Sequence, residues 1–187
     1  MAVFRFDLGV SLARLDGDFT KHHPFLYALR SDLLLGNLKL IMEPWDLGPQ
    51  GWRTGGFGMP FSEWNDRFRD TVRRFWITDT QPGAPSGIGM QEMATRLCGS
   101  SDLFATEPGR GCVSSINYVS CHDGFTLTDL TRYAVKHNEA NGEKNQDGES
   151  NNLSWNCGKE GPSDDPIVVA LRARQKRNLL TTLFLSQ

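Results

Sequence analysis

Three acidic residues each follow an apolar run with the composition of a β-strand. Asp7 closes the run in "FRFDL", Glu43 follows "LKLIM", and Asp123 follows "INYVSCH". Because parallel strands have their carboxyl ends on one face, residues far apart in the chain meet there. When two carboxyl groups share a partly apolar site, their pKa values differ, so that one can act as nucleophile and the other as proton donor. Glycoside hydrolysis requires such a pair. The pattern therefore predicts a site of paired carboxylates.

Two of these acids have a charged or titratable neighbour. Arg5 precedes Asp7 by two residues, so both side chains leave the same face of a strand and can form a charge-assisted hydrogen bond. His122 stands directly before Asp123. A single acid at a strand end is more often a turn or cap residue, and Asp123 before Gly124 fits that explanation. Three acids with two such neighbours favour a functional site.

The elements that must position these acids alternate between strand and helix. The pattern predicts a short buried strand at the start of the chain, and the remaining elements follow from periodicity, proline, glycine and capping signals. The predicted strands are Val3–Leu8, Leu38–Met42 and Ile116–Val119. Helices are predicted over 24–35, over the segment that contains Phe68, Val72, Phe75 and Trp76, over 89–98, after the capping pair Thr126 and Asp129, and over Ile167–Leu185. Long loops are predicted over 46–61 and 136–165. This order predicts an α/β fold of about four parallel strands with covering helices.

The composition is that of an ordinary soluble protein. The 187 residues are 39% hydrophobic and 22% charged, and the net charge of -2 argues against nucleic acid or a membrane surface as a partner held by charge. The N-terminus lacks the features of a secretory signal, which predicts a cytoplasmic protein. The cysteines include no Cys-x-x-Cys pair and are expected to be reduced thiols: Cys98, Cys112, Cys121 and Cys157. No metal site and no cofactor are predicted.

The tryptophans divide into two groups. Trp45, beside Glu43, and Trp52, in the glycine-rich loop, are candidates for stacking on a sugar ring. Trp64, Trp76 and Trp155 are expected to pack against the protein or to hold loops in place.

Beyond this pattern, the motifs resemble a known family. "FRFDL", "LIMEPWD" and "VSCHDG" are similar to the strand-four, strand-five and strand-seven motifs of the alpha-amylase family of glycoside hydrolases. "EWNDRFRDTVRRFW" and "NNLSWNCGKEG" resemble the glycogen-debranching and isoamylase branch of that family. The resemblance implies retaining hydrolysis of α-1,6 branch linkages in glycogen or limit dextrins.

The resemblance also implies roles for individual residues. Asp7 corresponds to the nucleophile, Glu43 to the general acid/base, and Asp123 to the aspartate that holds sugar hydroxyls in the transition state. Arg5 would keep the nucleophile ionised, and His122 would contact the sugar in the same subsite. The substrate-binding set is completed by Trp45.

The family barrel has eight strands, and the resemblance runs from strand four to a point before strand eight. Residues 1–187 are therefore expected to form a partial (β/α)8 TIM barrel, without the N-terminal and C-terminal domains of the family. Open barrel edges would favour self-association. The alternatives are an inactive truncated fragment, a noncatalytic glucan-binding piece, an isoamylase or a trehalose-releasing glucanohydrolase.

Overall fold

The computed structural model describes residues 2–84, 87 and 89–187. The chain divides into two compact units, which are described separately below. The first comprises the chain up to Asp66 together with Cys98–Asn117 and Gln187, and the second comprises Arg67–Leu97 and Tyr118–Ser186. The expectation that residues 1–187 form one partial barrel domain stays a prediction.

The first unit contains the β-structure. Its strands are β1 (Val3–Phe6), β2 (Arg14–Leu15), β3 (Asp18–Phe19), β4 (Lys39–Met42), β5 (Ser62–Trp64) and β6 (Ser115–Ile116). Strands β1, β4, β5 and β6 form a parallel sheet in that order, and β2 pairs with β3 as an antiparallel hairpin. The predicted α/β fold with four parallel strands is confirmed. Within the described residues this sheet is open and does not close into a barrel.

Strand β1 lies at an edge of the sheet. Val3 and Phe4 are 50% and 49% exposed, so the prediction of a buried first strand is wrong. The reason is that β1 pairs on one side alone, with β4. In β4, which has a neighbour on each side, Leu40 and Met42 are buried.

The helices are α1 (Pro24–Ser31), α2 (Asp66–Arg73), α3 (Gly89–Leu97), α4 (Ser101–Phe104) and α5 (Pro166–Leu185). The first begins where predicted, because Pro24 suits a first turn and the His23 ring accepts a hydrogen bond from the Phe25 N–H. It ends four residues earlier than predicted. Asp32 is extended, and its carboxylate accepts the N–H groups that begin a separate 3-10 turn at Leu35–Asn37.

Each unit has its own apolar core. In the first, Leu26 and Leu29 of α1 pack with Leu40 and Met42 of β4. The second core gathers side chains from α2, α3, α5 and the connecting segments: Phe68, Val72, Ile77, Met93, Val119, Phe125, Leu130 and Leu179. In the described part of the chain, no helix is both long and apolar enough to cross a membrane.

The segment after β6 is less regular than predicted. The strand predicted over Ile116–Val119 ends at Ile116, and the helix predicted at Thr126 is only a 3-10 turn over Asp129–Thr131. The capping contact itself is present, because the Asp129 N–H donates to the Thr126 hydroxyl over 3.2 Å. The helix does not continue because the long polar loop takes its carbonyl groups: the Trp155 N–H donates to the Leu130 carbonyl over 3.0 Å.

Candidate active site

The pairing of β1 with β4 brings two of the predicted acids together. Phe6 lies opposite Met42 in the parallel register, so Asp7 and Glu43 are the next residues of adjacent strands. The Glu43 N–H donates to the Phe6 carbonyl over 3.0 Å, which extends the pairing beyond the strands. A carboxylate oxygen of Asp7 lies within 4.8 Å of one of Glu43. Sheet register therefore creates the carboxylate pair.

Arg5 is the positive charge between these two acids. Its guanidinium nitrogens lie 2.8 Å from an Asp7 oxygen and 2.9 Å from a Glu43 oxygen. The Glu43 side chain is 1% exposed, whereas that of Asp7 is 62% exposed. The guanidinium carbon of Arg5 lies 4.0 Å from the ring centroid of Trp64 in β5, which is a cation–π contact. One arginine thus holds a buried acid and an exposed acid in a fixed relation.

A strained turn fixes the second oxygen of Glu43. Leu8 has a φ of 44°, in the left-handed region that few residues other than glycine adopt. In this conformation the Leu8 N–H donates to Glu43 Oε2 over 2.7 Å. At Gly9 a side chain would stand 2.9 Å from the Glu43 carbonyl oxygen, so the close approach of the two segments requires glycine there. Strain of this kind is often found at functional sites.

The segment that follows Glu43 is held by an ion pair to the β2–β3 hairpin. Asp46 accepts hydrogen bonds from Arg14 Nε over 2.6 Å and Arg14 Nη2 over 2.7 Å. The Arg14 hydrogen bond, with help from the Gly48 N–H, lowers the pKa of Asp46 to about 2 despite partial desolvation. Trp45, which stands between Glu43 and Asp46 in the chain, is half-buried, and its ring centroid lies 6.4 Å from that of Trp64.

The glycine-rich loop over 46–61 is fixed by a buried ion pair. Glu63 and Arg110 have fully buried side chains, and an Arg110 nitrogen contacts Glu63 Oε1. The same carboxylate accepts the N–H groups of Gly55 and Phe57, and Arg110 donates to the Gly55 carbonyl. Burial raises the pKa of Glu63, against the opposing effect of Arg110. In the same loop Trp52 is 41% exposed, and its indole N–H donates to Asp66.

The other two predicted site residues lie in the second unit. His122 Nε2 is 3.2 Å from Asp123 Oδ1, and each side chain is about half exposed. The Asp123 carbonyl accepts the N–H of Glu149, which ties this turn to the long polar loop. At Gly124 a side chain would meet the Asn152 amide oxygen at 2.8 Å, so the turn again requires glycine. Asp123 stands in a turn well beyond the end of β6, and not at a strand end as predicted.

Arg5, Asp7, Glu43 and Trp45 are thus brought together in the first unit, and His122 and Asp123 form a pair in the second. The sequence interpretation missed three supporting features. Trp64, assigned to packing, holds the guanidinium of Arg5. The pairs Arg14–Asp46 and Arg110–Glu63 were not anticipated. A charge inside an apolar run, the signal that drew attention to Arg5, also marks Glu63 in "FSEW".

The first unit thus holds two carboxylates close together, at the carboxyl ends of adjacent parallel strands. No family model matches the chain. Curated proteins similar in sequence to the chain were found. The chain is 52% identical over 184 residues to the glycogen operon protein GlgX homologs of Mycobacterium bovis and Mycobacterium tuberculosis, a match that covers 98% of this chain and 24% of each relative.

The glycogen debranching enzyme of Erwinia tasmaniensis is 46% identical to the chain over 184 residues, which is 98% of this chain and 27% of that enzyme. The chain therefore spans about a quarter of the length of these curated relatives. The resemblance to glycogen-debranching proteins predicted from the motifs is confirmed along nearly the whole sequence.

Proposed function

We propose that this chain carries the nucleophile and the acid/base of a retaining hydrolase that cleaves α-1,6 branch linkages in glycogen or its limit dextrins. The observation that carries the proposal is the approach of the Asp7 and Glu43 carboxylates to within 4.8 Å. Retaining glycosidases hold their two carboxyl groups about 5–5.5 Å apart, whereas inverting enzymes leave about 6.5–9.5 Å for a water. The relatives named as glycogen debranching enzymes supply the substrate class.

In the first step an Asp7 oxygen attacks the anomeric carbon, and the bond from that carbon to the branch oxygen breaks. Glu43 gives its proton to the departing oxygen. A water then attacks the same carbon, Glu43 takes a proton from it, and Asp7 leaves as a carboxylate. The exposure of Asp7 suits an atom that must reach substrate, and the burial of Glu43 suits a group whose orientation must be fixed.

We assign the proton transfer to one of the two Glu43 oxygens on the basis of their contacts. Oε2 accepts the Leu8 N–H, so it is directed toward the backbone. Oε1 faces Arg5 and is the oxygen we assign to proton transfer. For Oε1 to carry the proton, Arg5 must give up its contact with Oε1 and keep its contact with Asp7, which would leave the nucleophile charged at the moment of attack.

We assign His122 and Asp123 to sugar hydroxyls and Trp45 to stacking on a sugar ring, following the family resemblance. Histidine, carboxylate and tryptophan side chains are suited to these contacts. All four cysteines are free thiols in the described structure, and a reducing compartment, the cytoplasm, is the location we propose.

The test measures reducing ends released from glycogen and β-limit dextrin by the whole protein that contains this chain. Asp7→Asn should abolish turnover, and Glu43→Gln should lower kcat about 10²–10⁴-fold, the usual contribution of a general acid/base. Asp16→Asn, in the exposed turn of the β2–β3 hairpin, is the matched control and should leave the rate unchanged.

Proton NMR of the first product decides the stereochemistry. Retention requires that the α-anomer of the new reducing end appears first. Release of the β-anomer, or substantial turnover by Asp7→Asn, would contradict the assigned roles. Glycogen binding without any hydrolysis would favour the noncatalytic alternative.

A further inference from the structure

The second unit contains three neighbouring side chains that could bind a metal ion, a role that the proposed reaction does not require of them. Cys121, His122 and Asp123 each offer one ligand atom, and these atoms lie within 4.8 Å of one another. His122 Nε2 and Asp123 Oδ1 are already 3.2 Å apart. A tetrahedral Zn²⁺ with bonds of about 2.0–2.3 Å separates its ligand atoms by roughly 3.3–3.7 Å. Small side-chain rotations would therefore complete a three-ligand site.

We propose that Cys121, His122 and Asp123 bind Zn²⁺ as an inhibitory site. Sulfur, imidazole and carboxylate are the ligand types that Zn²⁺ accepts, and a site of three protein ligands leaves the fourth position to water. The thiol makes the site selective. Ca²⁺ and Mg²⁺ take oxygen ligands almost exclusively, so neither gains from Cys121.

The surroundings of this set favour a cation. His122 and Asp123 line a cavity of about 230 Å³ in the second unit. The walls of the cavity contribute more acidic than basic side chains: Asp123, Asp129, Asp147 and Glu149 against Lys136, His122 and His137. The amine of Lys136 is turned to the Asp147 and Gly148 carbonyl oxygens, where it braces the loop.

The backbone that carries the three ligands is already ordered. The Asp123 carbonyl accepts the Glu149 N–H over 2.6 Å, and the Phe125 N–H donates to the Asn152 amide oxygen over 2.8 Å. Binding to a preformed turn costs less ordering entropy than binding to a mobile one.

Inhibition rests on the proposed function, because a metal held by His122 and Asp123 would occupy two groups assigned to the sugar. Zn²⁺ binding itself does not depend on that assignment. The thiol proton is released to the buffer when the Zn–S bond forms, and no other bond changes.

The test titrates the whole protein with ZnCl₂ in a calorimeter and with CoCl₂ in a spectrophotometer. Wild type should bind one more ion than Cys121→Ser, or bind it at least about 100-fold more tightly, and should show a thiolate-to-cobalt charge-transfer band that the variant lacks. Cys98→Ser removes an exposed thiol of the first unit and is the matched control, expected to behave as wild type. Excess CaCl₂ should not displace the zinc.

A second measurement requires no variant. In wild type, Zn²⁺ should slow the alkylation of Cys121 by iodoacetamide at least about 10-fold, measured by peptide mass spectrometry, and leave Cys98 unaffected. Equal zinc binding by wild type and Cys121→Ser, displacement by Ca²⁺, or unprotected alkylation would overturn the site. Zinc should also inhibit glycogen hydrolysis by wild type and not by Cys121→Ser; zinc binding at Cys121 in a protein without hydrolysis would refute the proposed function and leave the metal site standing.

Discussion

The two long loops of the molecule are both held by buried arginines, but through different partners. In the first unit Arg110 pairs with the carboxylate of Glu63, which in turn accepts N–H groups of the glycine-rich loop. In the second unit Arg73 donates to the Val119 and Asn152 carbonyls. The pKa of Arg73 is lowered to about 10, and burial is the largest of the causes. One loop thus depends on a buried ion pair and the other on neutral acceptors.

The proposed catalytic groups follow the same division. Asp7 and Glu43 stand at the ends of paired strands, where the sheet register decides their separation. Asp123 stands in a turn, and its position depends on the polar loop that binds its carbonyl. Groups that form or break bonds gain most from a rigid frame, whereas a turn can adapt to the sugar it contacts. The difference leads to three predictions on stability.

The largest effect is expected from Arg110→Met. It leaves the Glu63 carboxylate buried without its cation, and breaking a buried pair in this way costs about 3–5 kcal/mol. Urea unfolding measures the loss, and hydrogen exchange should rise first at Gly55 and Phe57, the amides bound by Glu63. Arg177→Met, on an exposed position of α5, should change stability by less than about 0.5 kcal/mol. Equal losses in the two variants would mean that the buried pair has no special role.

A smaller loss is expected from Arg73→Met. The variant removes hydrogen bonds to two neutral carbonyls and leaves no buried carboxylate of its own, so we expect about 1–3 kcal/mol. Urea unfolding gives the total, and exchange should rise around residues 119–125 and 152. A loss as large as that of Arg110→Met would remove the distinction between ionic and neutral anchoring.

The smallest effect is expected from Asp46→Asn, and it should depend on pH. The pKa of Asp46 is about 2 in the folded chain and near 3.9 in an unfolded one, so the folded state binds the proton less readily. Its contribution is therefore complete above pH about 5 and is lost as pH falls toward 2. Unfolding midpoints in urea should differ between wild type and variant at pH 6 and converge near pH 2.

The exposed acid Asp164 is the control for this series, because Asp164→Asn should give no difference that varies in the same way with pH. A wild-type advantage that persists unchanged to pH 2 would show that Asp46 stabilises the loop without its charge.

Local sequence was sufficient for some of the elements and for one ion pair of the candidate site. Pro24 placed the start of α1, the apolar run before Glu43 placed β4, and Arg5 two residues before Asp7 predicted an ion pair that is present at 2.8 Å. These features depend on residues close together in the chain. Their period and spacing determine which face a side chain occupies before any tertiary contact forms.

Tertiary structure decided the features that depend on distant residues. The exposure of β1 follows from its position at the sheet edge, and the short 3-10 turn after Thr126 follows from carbonyls taken by the loop. The bridging of Asp7 and Glu43 by one guanidinium over Trp64 joins three strands. No local pattern encodes such contacts, because their partners are set by which strands pair and in which register.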